Sequence, residues 1–462
     1  MNGAARPSIH DLMSTFLLIA IAVLLLTLLF GVYVFRRARR TFRLGRWPSL
    51  VLGAAILLGP VALVVGRMRV LGPDFEVGTA LIGAALTLGT IFAAVLLFHV
   101  DIARGLAALA ARFWPDRGDA RDERAIPAAA DAQDAARSET AALDAEVPAP
   151  ARPDAKRDAA PDAAHDAAPN APAPDPLLSR RELFGHFASG GALVLGGSLG
   201  GYSAFFGRHD YAVEELVVAL PGLPATLEGF TLVQLSDIHI GRFVGDWELR
   251  AAERLVRDAR PDLIVLTGDL VDHEPQYAPR LGELVERLGP LARHGVTAVP
   301  GNHDYYSGID EVLGALRRGG ARVLRNEGVV IGDGGGGFAL LGVDDLWAGG
   351  HGQPIPGGPG PDLDRAIGMV PPDLGRVLLC HQPEFFHHVA ADIQLQLSGH
   401  THGGQVTLGY EPAGLVVPYG YVEGSYHRHG GQLYVNRGFG TAGPPARLGA
   451  APEVTRVILT RA

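Results

Sequence analysis

Five times in the second half of the chain, a short apolar run ends in a cluster of Asp, Asn or His residues. The first run, residues 232–235, reads LVQL and is followed by Ser236, Asp237, Ile238 and His239. Such a run is typical of a buried strand, and ligands of open α/β sheets gather beyond the carboxyl ends of strands. Asp237 and His239 are two residues apart, so both can project to one side of an extended segment. The pair favours a metal site, although a lone D-x-H pattern also fits a surface turn.

The four later runs end in the same way, and amphipathic helical segments separate several of the runs. After the first run, residues 246–260 place Leu249, Ala252 and Val256 on one helical face. Strands that alternate with helices predict an α/β fold whose polar residues lie on loops at one end. The later runs and their polar residues are 263–266 with Asp269, 296–299 with Asn302, His303 and Asp304, 376–380 with His381, and 393–398 with His400 and His402.

The ordered set D-x-H, GD-x-x-D, GNHD, H-x-P and GHTHGG resembles the calcineurin-like metallophosphoesterase superfamily across residues 225–460. Flanking details resemble its membrane-anchored bacterial phosphodiesterase branch: GHTHGGQ, residues 437–441, residues 447–449, and Pro452 with Glu453. The resemblance implies a four-layer α/β/β/α sandwich, preceded here by an all-α transmembrane region. Two facing sheets would then carry helices outside and metals between them at one end.

The resemblance also implies a two-metal centre with seven ligands. The first ion would be held by Asp237, His239 and His402, the second by Asn302, His381 and His400, and Asp269 would bridge both. Two ions about 3.5–4 Å apart would share a bridging hydroxide and clamp the phosphoryl oxygens. Mixed carboxylate, amide and imidazole donors suit Mn²⁺, Fe or Zn²⁺ better than Mg²⁺ or Ca²⁺.

Two further residues are predicted to be catalytic without binding metal. His303, held by Asp304, is expected to stabilise or protonate the leaving oxygen. Asp272 is expected either to contact and support the residues of the site or to structure its loop. The role of His273 stays open, and Cys380 is expected to pack within a strand. Asp344 and Asp345 are expected to end another strand near the site without binding metal.

Three long apolar runs precede the α/β part, at residues 12–35, 48–65 and 77–100. Each is near the roughly 20 residues that a transmembrane helix needs, whereas three buried core helices in succession are an uncommon alternative. The basic loop at residues 36–46 is expected in the cytoplasm. The N-terminus would then lie outside, and the third helix would return the chain to the cytoplasm near Asp101.

A linker and a fourth apolar segment complete the predicted organisation. Residues 105–178 are rich in Ala, Pro and Asp, which predicts a disordered spacer. Residues 179–207 resemble a twin-arginine export signal through Arg180 and Arg181, but they lie deep in the chain and have Leu183 where Phe is usual. An ordinary fourth membrane helix is the alternative. Either one delivers residues 208–462, the catalytic domain, to the periplasmic side of the cytoplasmic membrane, with residues 1–104 as the multi-pass membrane region.

Composition narrows the candidate functions. The formal net charge of -9, without a basic face, argues against a nucleic-acid partner, and no protein partner is predictable. We expect a membrane-anchored phosphodiesterase acting on a phosphate ester, with a lipid-linked substrate suggested by apolar loop residues such as Trp347 and Val416. The alternatives are a UDP-2,3-diacylglucosamine pyrophosphatase-like enzyme, whose substrate lies on the opposite side of the membrane, and a non-catalytic membrane sensor.

Overall fold

The computed structural model describes residues 9–68, 72–113, 180–332, 336–348, 358–407 and 412–462. Most of the predicted linker, from residue 114 to residue 178, lies outside the described residues. The described chain belongs to two compact units, residues 1–98 with 186–462 and residues 99–185. All contacts discussed below lie within the first of these units.

Four helices correspond to the four apolar segments: α1 (Ile9–Thr41), α2 (Arg46–Val65), α3 (Pro73–Phe113) and α4 (Arg180–Phe205). Among the described residues, α2 and the Pro73–Ala110 part of α3 are long and apolar enough to cross a membrane. Side chains of the run at 12–35 are described only from residue 24 onward. Helix α3 continues to Phe113, so the predicted boundary at residue 104 falls within a helix.

Small residues bring these helices into close contact. A Cβ on Gly83 of α3 would lie 2.2 Å from the backbone nitrogen of Leu63 in α2. A Cβ on Gly200 of α4 would lie 2.4 Å from the carbonyl oxygen of Ala85 in α3. Larger apolar side chains, such as Val51 of α2, are instead more than half exposed. Small residues inside and large apolar residues outside are the pattern of helices that pack in a bilayer.

The α/β part contains twelve strands and six helices in the described residues. In chain order they are β1 (Ala212–Leu220), β2 (Phe230–Leu235), α5 (Asp246–Ala259), β3 (Leu263–Thr267), α6 (Ala278–Leu288), β4 (Val296–Val299), α7 (Asn302–Tyr306), α8 (Ile309–Arg318), β5 (Arg322–Val323), β6 (Glu327–Gly332), β7 (Gly337–Gly342), α9 (Leu363–Ile367), β8 (Arg376–Leu379), α10 (Phe386–Val389), β9 (Leu395–Ser398), β10 (Gly424–Arg428), β11 (Gly431–Val435) and β12 (Glu453–Arg461). They form two six-stranded sheets, ordered β1-β12-β2-β3-β4-β5 and β10-β11-β9-β8-β7-β6.

Alternating side chains sort the core into three layers. In β3, Val265 faces the second sheet, where it shares a cluster with Leu379 of β8. The preceding residue, Ile264, points the other way and packs with α5, α6 and α8. Leu378 of β8 likewise faces outward, towards α9 and α10. Because successive strand residues face opposite sides, fully apolar strands bury both faces, and the predicted four-layer α/β/β/α sandwich is confirmed.

Parallel pairing places the loops that carry the polar clusters at one end of the sandwich. Strands β2, β3 and β4 pair in parallel in the first sheet, and β8 and β9 pair in parallel in the second. Their carboxyl ends therefore lie together, and the five polar clusters follow those five ends.

Candidate metal centre

The loops after these strands gather the predicted ligands into two adjoining groups. Asp237, His239 and His402 form one group, and Asp269, His381 and His400 form the other. In the first group, Nε2 of His402 lies 3.1 Å from Nε2 of His239 and 3.4 Å from Oδ1 of Asp237. These residues come from both sheets, so the site lies between them as expected.

Asp269 belongs to the second group and also approaches the first. Its Oδ2 is 3.1 Å from Nε2 of His381 and 3.8 Å from Nε2 of His239, which belong to different groups. Nδ1 of His400 is a further 3.3 Å from Nε2 of His381. The seventh predicted ligand, Asn302, is buried, and its Oδ1 has no hydrogen-bond partner among the residues that the structure describes. Converging nitrogen and oxygen donors with an unsatisfied buried amide oxygen fit divalent cations.

Backbone strain is concentrated at the same residues. Five of the seven predicted ligands have positive φ: Asp237, His239, Asp269, His400 and His402, at 50°, 51°, 53°, 74° and 54°. Left-handed backbone is costly for residues other than glycine and persists where the surroundings enforce it, commonly at functional sites. The residue before His400 has to be glycine for a steric reason, because a Cβ on Gly399 would lie 2.1 Å from Oδ2 of Asp237.

Burial and neighbouring charges act against each other in setting the charges in the site. Burial raises the pKa of Asp237, against the opposing effect of His381. Burial alone would raise the pKa of Asp269 too, but the imidazoles of His381 and His303 hold it well below its ordinary value. Burial lowers the pKa of His400 to about 3, which keeps its imidazole neutral. Burial also opposes a charge on His381, but Asp269 and Asp237 outweigh it and raise the pKa of His381 well above its ordinary value. Metal ligands must be deprotonated, so an ion bound here would displace that proton.

His303 is positioned by a different residue from the one predicted. Its Nδ1 lies 3.2 Å from Oδ1 of Asp272, so the prediction that Asp304 holds His303 is wrong. The Asp304 carboxylate instead accepts backbone N–H groups of Leu270 at 2.8 Å and Gly301 at 2.9 Å. These bonds tie two ligand-bearing loops together. Burial lowers the pKa of His303, but Asp269 and Asp272 outweigh it and raise the pKa above its ordinary value.

Several neighbours support the centre without belonging to either group. Asp345 accepts a 2.6 Å hydrogen bond from the side-chain amide of Gln382, which follows the predicted ligand His381. Burial raises the pKa of Asp345 to about 7. The Trp347 ring meets His400 edge-on, with centroids 4.8 Å apart.

One buried charge next to the centre carried no signal of its position in the sequence. Arg447 is fully buried, and its Nη2 lies 3.0 Å from Nδ1 of His402. The short motif around Arg447 is part of the resemblance to the family. Its contact with His402 is not indicated by any local pattern, because 45 positions separate the two residues.

The fold and the paired donor groups define a metal-dependent phosphoester hydrolase class, and known proteins agree. Residues 230–404 match the family model for calcineurin-like phosphoesterases. The uncharacterized metallophosphoesterase YkuE of Bacillus subtilis is 32% identical over 290 residues, which cover 60% of this chain and 96% of YkuE. The protein belongs to the calcineurin-like metallophosphoesterase family.

Two other proteins are similar to this chain in different ways. A transmembrane protein with metallophosphoesterase domain from Danio rerio is 33% identical over 286 residues, 59% of this chain and 62% of the relative. The match therefore spans less than two thirds of that relative. The crystal structure of TT1561 from Thermus thermophilus is 15% identical, with a TM-score of 0.32 over 46% of this chain and 90% of TT1561. That likeness is too low to add to the assignment.

Proposed function

We propose that this protein is a membrane-anchored phosphodiesterase with a binuclear metal centre. Asp237, His239 and His402 would hold one ion, Asn302, His381 and His400 would hold the other, and Asp269 would be shared by both. The observation that carries the proposal is the position of the Asp269 carboxylate, whose Oδ2 is within 4 Å of an imidazole nitrogen in each donor group. The mixed nitrogen and oxygen donors favour Mn²⁺, Fe or Zn²⁺.

His303 is the proposed proton donor. When bound, the two ions supply Lewis acidity and lower the pKa of water at the reacting phosphorus. Asp272 contacts Nδ1 of His303, which fixes the imidazole and leaves Nε2 for the leaving oxygen. The carboxylate also stabilises the protonated ring. Asp304 contributes by holding the loops rather than by contacting the imidazole.

Contacts at one end of the helices support the proposed topology. Arg67, just after α2, donates a hydrogen bond to the carbonyl oxygen of Gly443. Arg242 pairs with Glu76 of α3 at 2.5 Å. The α2–α3 connection therefore lies on the same side as the α/β sandwich, whereas the basic residues ending α1 precede the opposite end of α2. With that basic end in the cytoplasm, the catalytic domain lies on the periplasmic side of a multi-pass membrane region.

The proposed domains follow from this arrangement. The membrane region extends to Phe113, where α3 ends, rather than to residue 104. The linker then precedes residue 179, residues 179–207 are the fourth segment and residues 208–462 the catalytic domain. The fourth segment consists largely of α4, and the first strand of the sandwich, β1, follows it within a few residues. Export through a twin-arginine route and simple insertion of a fourth helix both fit this order.

A cavity where the helices meet the sandwich supports a lipid-linked substrate. It has a volume of about 410 Å³ and is lined by Arg67, Arg242, Phe243, Asp272, His273 and Glu274. Its wall includes Asp272, which contacts the proposed proton donor, and Arg67, which follows a proposed membrane helix. A polar headgroup could occupy this cavity while its acyl chains stay in the bilayer.

The test uses the full chain in detergent, stripped of metal and refilled with Mn²⁺. We expect it to hydrolyse bis-p-nitrophenyl phosphate, and Asp269→Ala to abolish the activity. The proposal would be overturned by folded, Mn²⁺-loaded protein that cleaves neither this diester nor the corresponding monoester, p-nitrophenyl phosphate. For the lipid, Arg67→Ala should raise KM for phospholipids in nanodiscs and leave turnover of the soluble diester unchanged. Equal effects on both substrates would count against a lipid headgroup in the cavity.

A further inference from the structure

Two adjacent apolar side chains project into solvent from the loop between the turn that carries His402 and strand β10. Leu415 and Val416 are 77% and 81% exposed, more than any other large apolar side chain that the structure describes in residues 212–462. Single exposed apolar residues are ordinary on a protein surface, whereas two neighbours that are this exposed form a small patch. Leu415 and Val416 are called the apolar tip below.

The backbone of the apolar tip is held in an ordered turn. The N–H groups of Val416 and Val417 both donate to the carbonyl oxygen of Ala413, at 3.0 and 2.8 Å. Close by in the chain, the Tyr419 ring stacks on the His387 ring, with centroids 3.6 Å apart. Because the turn is already ordered, burying the tip against another surface costs little conformational entropy.

The base of the apolar tip packs on a loop of the same end of the sandwich. A Cβ on Gly404 would lie 3.1 Å from Cβ of Ala413, so the two backbones run close together. The side chain of the next residue, Gln405, donates a 2.8 Å hydrogen bond to the carbonyl oxygen of Pro444. The tip is therefore connected to the loop that contains Pro444.

That loop also contacts the proposed membrane helices. Ala446 is buried in a cluster with Ala84 of α3 and Ala204 of α4. Arg67, just after α2, donates a hydrogen bond to the carbonyl oxygen of Gly443. The base of the apolar tip therefore belongs to the end of the sandwich that meets the helices, which is the end that lies nearest to the bilayer.

The loop after the apolar tip is attached to the candidate metal centre. Between the two candidate ligands of the last polar cluster, Oγ1 of Thr401 donates a 2.5 Å hydrogen bond to the carbonyl oxygen of Val422. The Tyr426 hydroxyl accepts the N–H of Val422 at 3.0 Å and donates to the carbonyl oxygen of Gly420 at 3.1 Å. These bonds join the loop to the metal-binding turn, so a surface that holds the tip also fixes the position of the centre.

We propose that Leu415 and Val416 insert into the bilayer that holds the helices, on the side of the membrane where the metal centre lies. The continuity of the tip with the end of the sandwich that meets the helices favours lipid as its occupant. Its size favours lipid as well, because a specific protein interface buries about 800 Å² per partner and two side chains offer far less. Apolar groups at a membrane surface reach about 5–10 Å into the boundary between headgroups and acyl chains.

Insertion of the apolar tip gives the catalytic domain a second attachment to the membrane besides its helices. The metal centre is then held at the bilayer surface, where the phosphate groups of lipids lie. This inference rests on the proposed membrane anchoring, and it deepens the proposal of a lipid-linked substrate by placing that substrate in the bilayer itself.

The experiment attaches a nitrobenzoxadiazole fluorophore to Leu415→Cys or Val416→Cys in the full chain. The single native cysteine, Cys380, is buried, so the label selects the introduced thiol. The protein is placed in nanodiscs of phosphatidylethanolamine and phosphatidylglycerol, with or without lipids that carry a doxyl quencher at carbon 5. Testing the two positions separately keeps the experiment decisive if one variant does not fold.

Val330→Cys is the matched control. Val330 is also an exposed apolar residue, at 47%, and it pairs with Ala339 close to the start of β7. Strand β7 runs parallel to β8, whose carboxyl end leads to the metal centre, so Val330 lies towards the opposite end of the sandwich.

We expect both tip labels to emit at shorter wavelength than the control label and to lose about half of their emission or more to the doxyl lipid, as the depth of insertion requires. The control label should keep its emission. Unquenched tip labels would overturn the inference, and so would equal quenching at all three positions. A shift to shorter wavelength without quenching would show that protein, such as a second copy, covers the tip, and would overturn the inference too.

Hydrolysis of bis-p-nitrophenyl phosphate by the same samples separates this inference from the proposed activity. Active protein with an unquenched tip would overturn the inference alone. A quenched tip in inactive, Mn²⁺-loaded protein would support the inference and overturn the proposed phosphodiesterase activity. Protein that stays in solution without detergent or lipid would overturn the membrane anchoring and the inference together.

Discussion

Replacing Asp272 by Asn removes the charge beside the proposed proton donor and keeps the size of its side chain. Oδ1 of Asp272 lies 3.2 Å from Nδ1 of His303, and both side chains are only 17% exposed, so water screens the pair weakly. A hydrogen bond to a charged group contributes about 1.5–3 kcal/mol. Asp272→Asn should therefore lower the pKa of His303, because the protonated ring loses this stabilisation.

The sign of the effect follows from the role of His303. A proton donor works while it is protonated, so the rate falls as pH rises through its pKa. Asp272 contributes to raising that pKa, so Asp272→Asn should move the alkaline fall in kcat to lower pH. The assay is a pH profile with bis-p-nitrophenyl phosphate at saturating Mn²⁺, because Asp272 also lies 3.5 Å from Nδ1 of His239.

A matched control is available at the far end of the second sheet. Asp373 is exposed and precedes the amino end of β8, whereas His381 follows the carboxyl end of that strand. Asp373→Asn should leave the profile unchanged. An alkaline limb that stays in place in Asp272→Asn, or one that moves equally in both variants, would refute the assignment of Asp272 as the partner of His303.

Three further substitutions probe the donor, the centre and the core. His303→Gln should lower kcat by about 10²–10⁴-fold for diesters with alkyl leaving groups and by less for p-nitrophenyl esters, so equal losses would contradict proton donation. Gly399→Ala introduces a Cβ 2.1 Å from Oδ2 of Asp237 and should destabilise the fold by about 1–3 kcal/mol; an unchanged melting temperature in detergent would contradict this. Phe439→Ala removes a buried ring stacked on Tyr211 at 4.6 Å. It should cost about 3–5 kcal/mol, measured by chemical denaturation.

Local patterns predicted an α/β fold with its polar residues gathered at one end, and the resemblance to the family implied the four-layer sandwich. Each apolar run is a strand with a polar cluster at its carboxyl end, and parallel pairing brings those ends together. The choice between Asp272 and Asp304 was not predictable in this way, because both lie a few residues from a candidate ligand. Which carboxylate faces His303 depends on the turns of two loops that meet only in the folded protein.

Other features depend on contacts that no local pattern records. The left-handed backbone at His400 and His402 is enforced by neighbours on other strands, such as Asp237, which accepts the N–H of His400 at 3.0 Å. Arg447 reaches His402 across 45 positions. The hydrogen bond between Arg447 and Ser203 requires the helices and the sandwich to be folded against each other. The sequence patterns of the helices and of the sandwich are independent, so they do not predict this contact.

The position of β12 has a consequence for biosynthesis. This strand pairs in parallel with β1 and antiparallel with β2, so it lies inside the first sheet rather than at an edge. It is translated after every other described strand, and until it leaves the ribosome β1 and β2 have no partner on the sides that face each other. The pairing of β2, the strand that leads to Asp237, is therefore completed last, although β2 is made early. Premature termination within Glu453–Arg461 would leave an interior gap in the sheet rather than a frayed end.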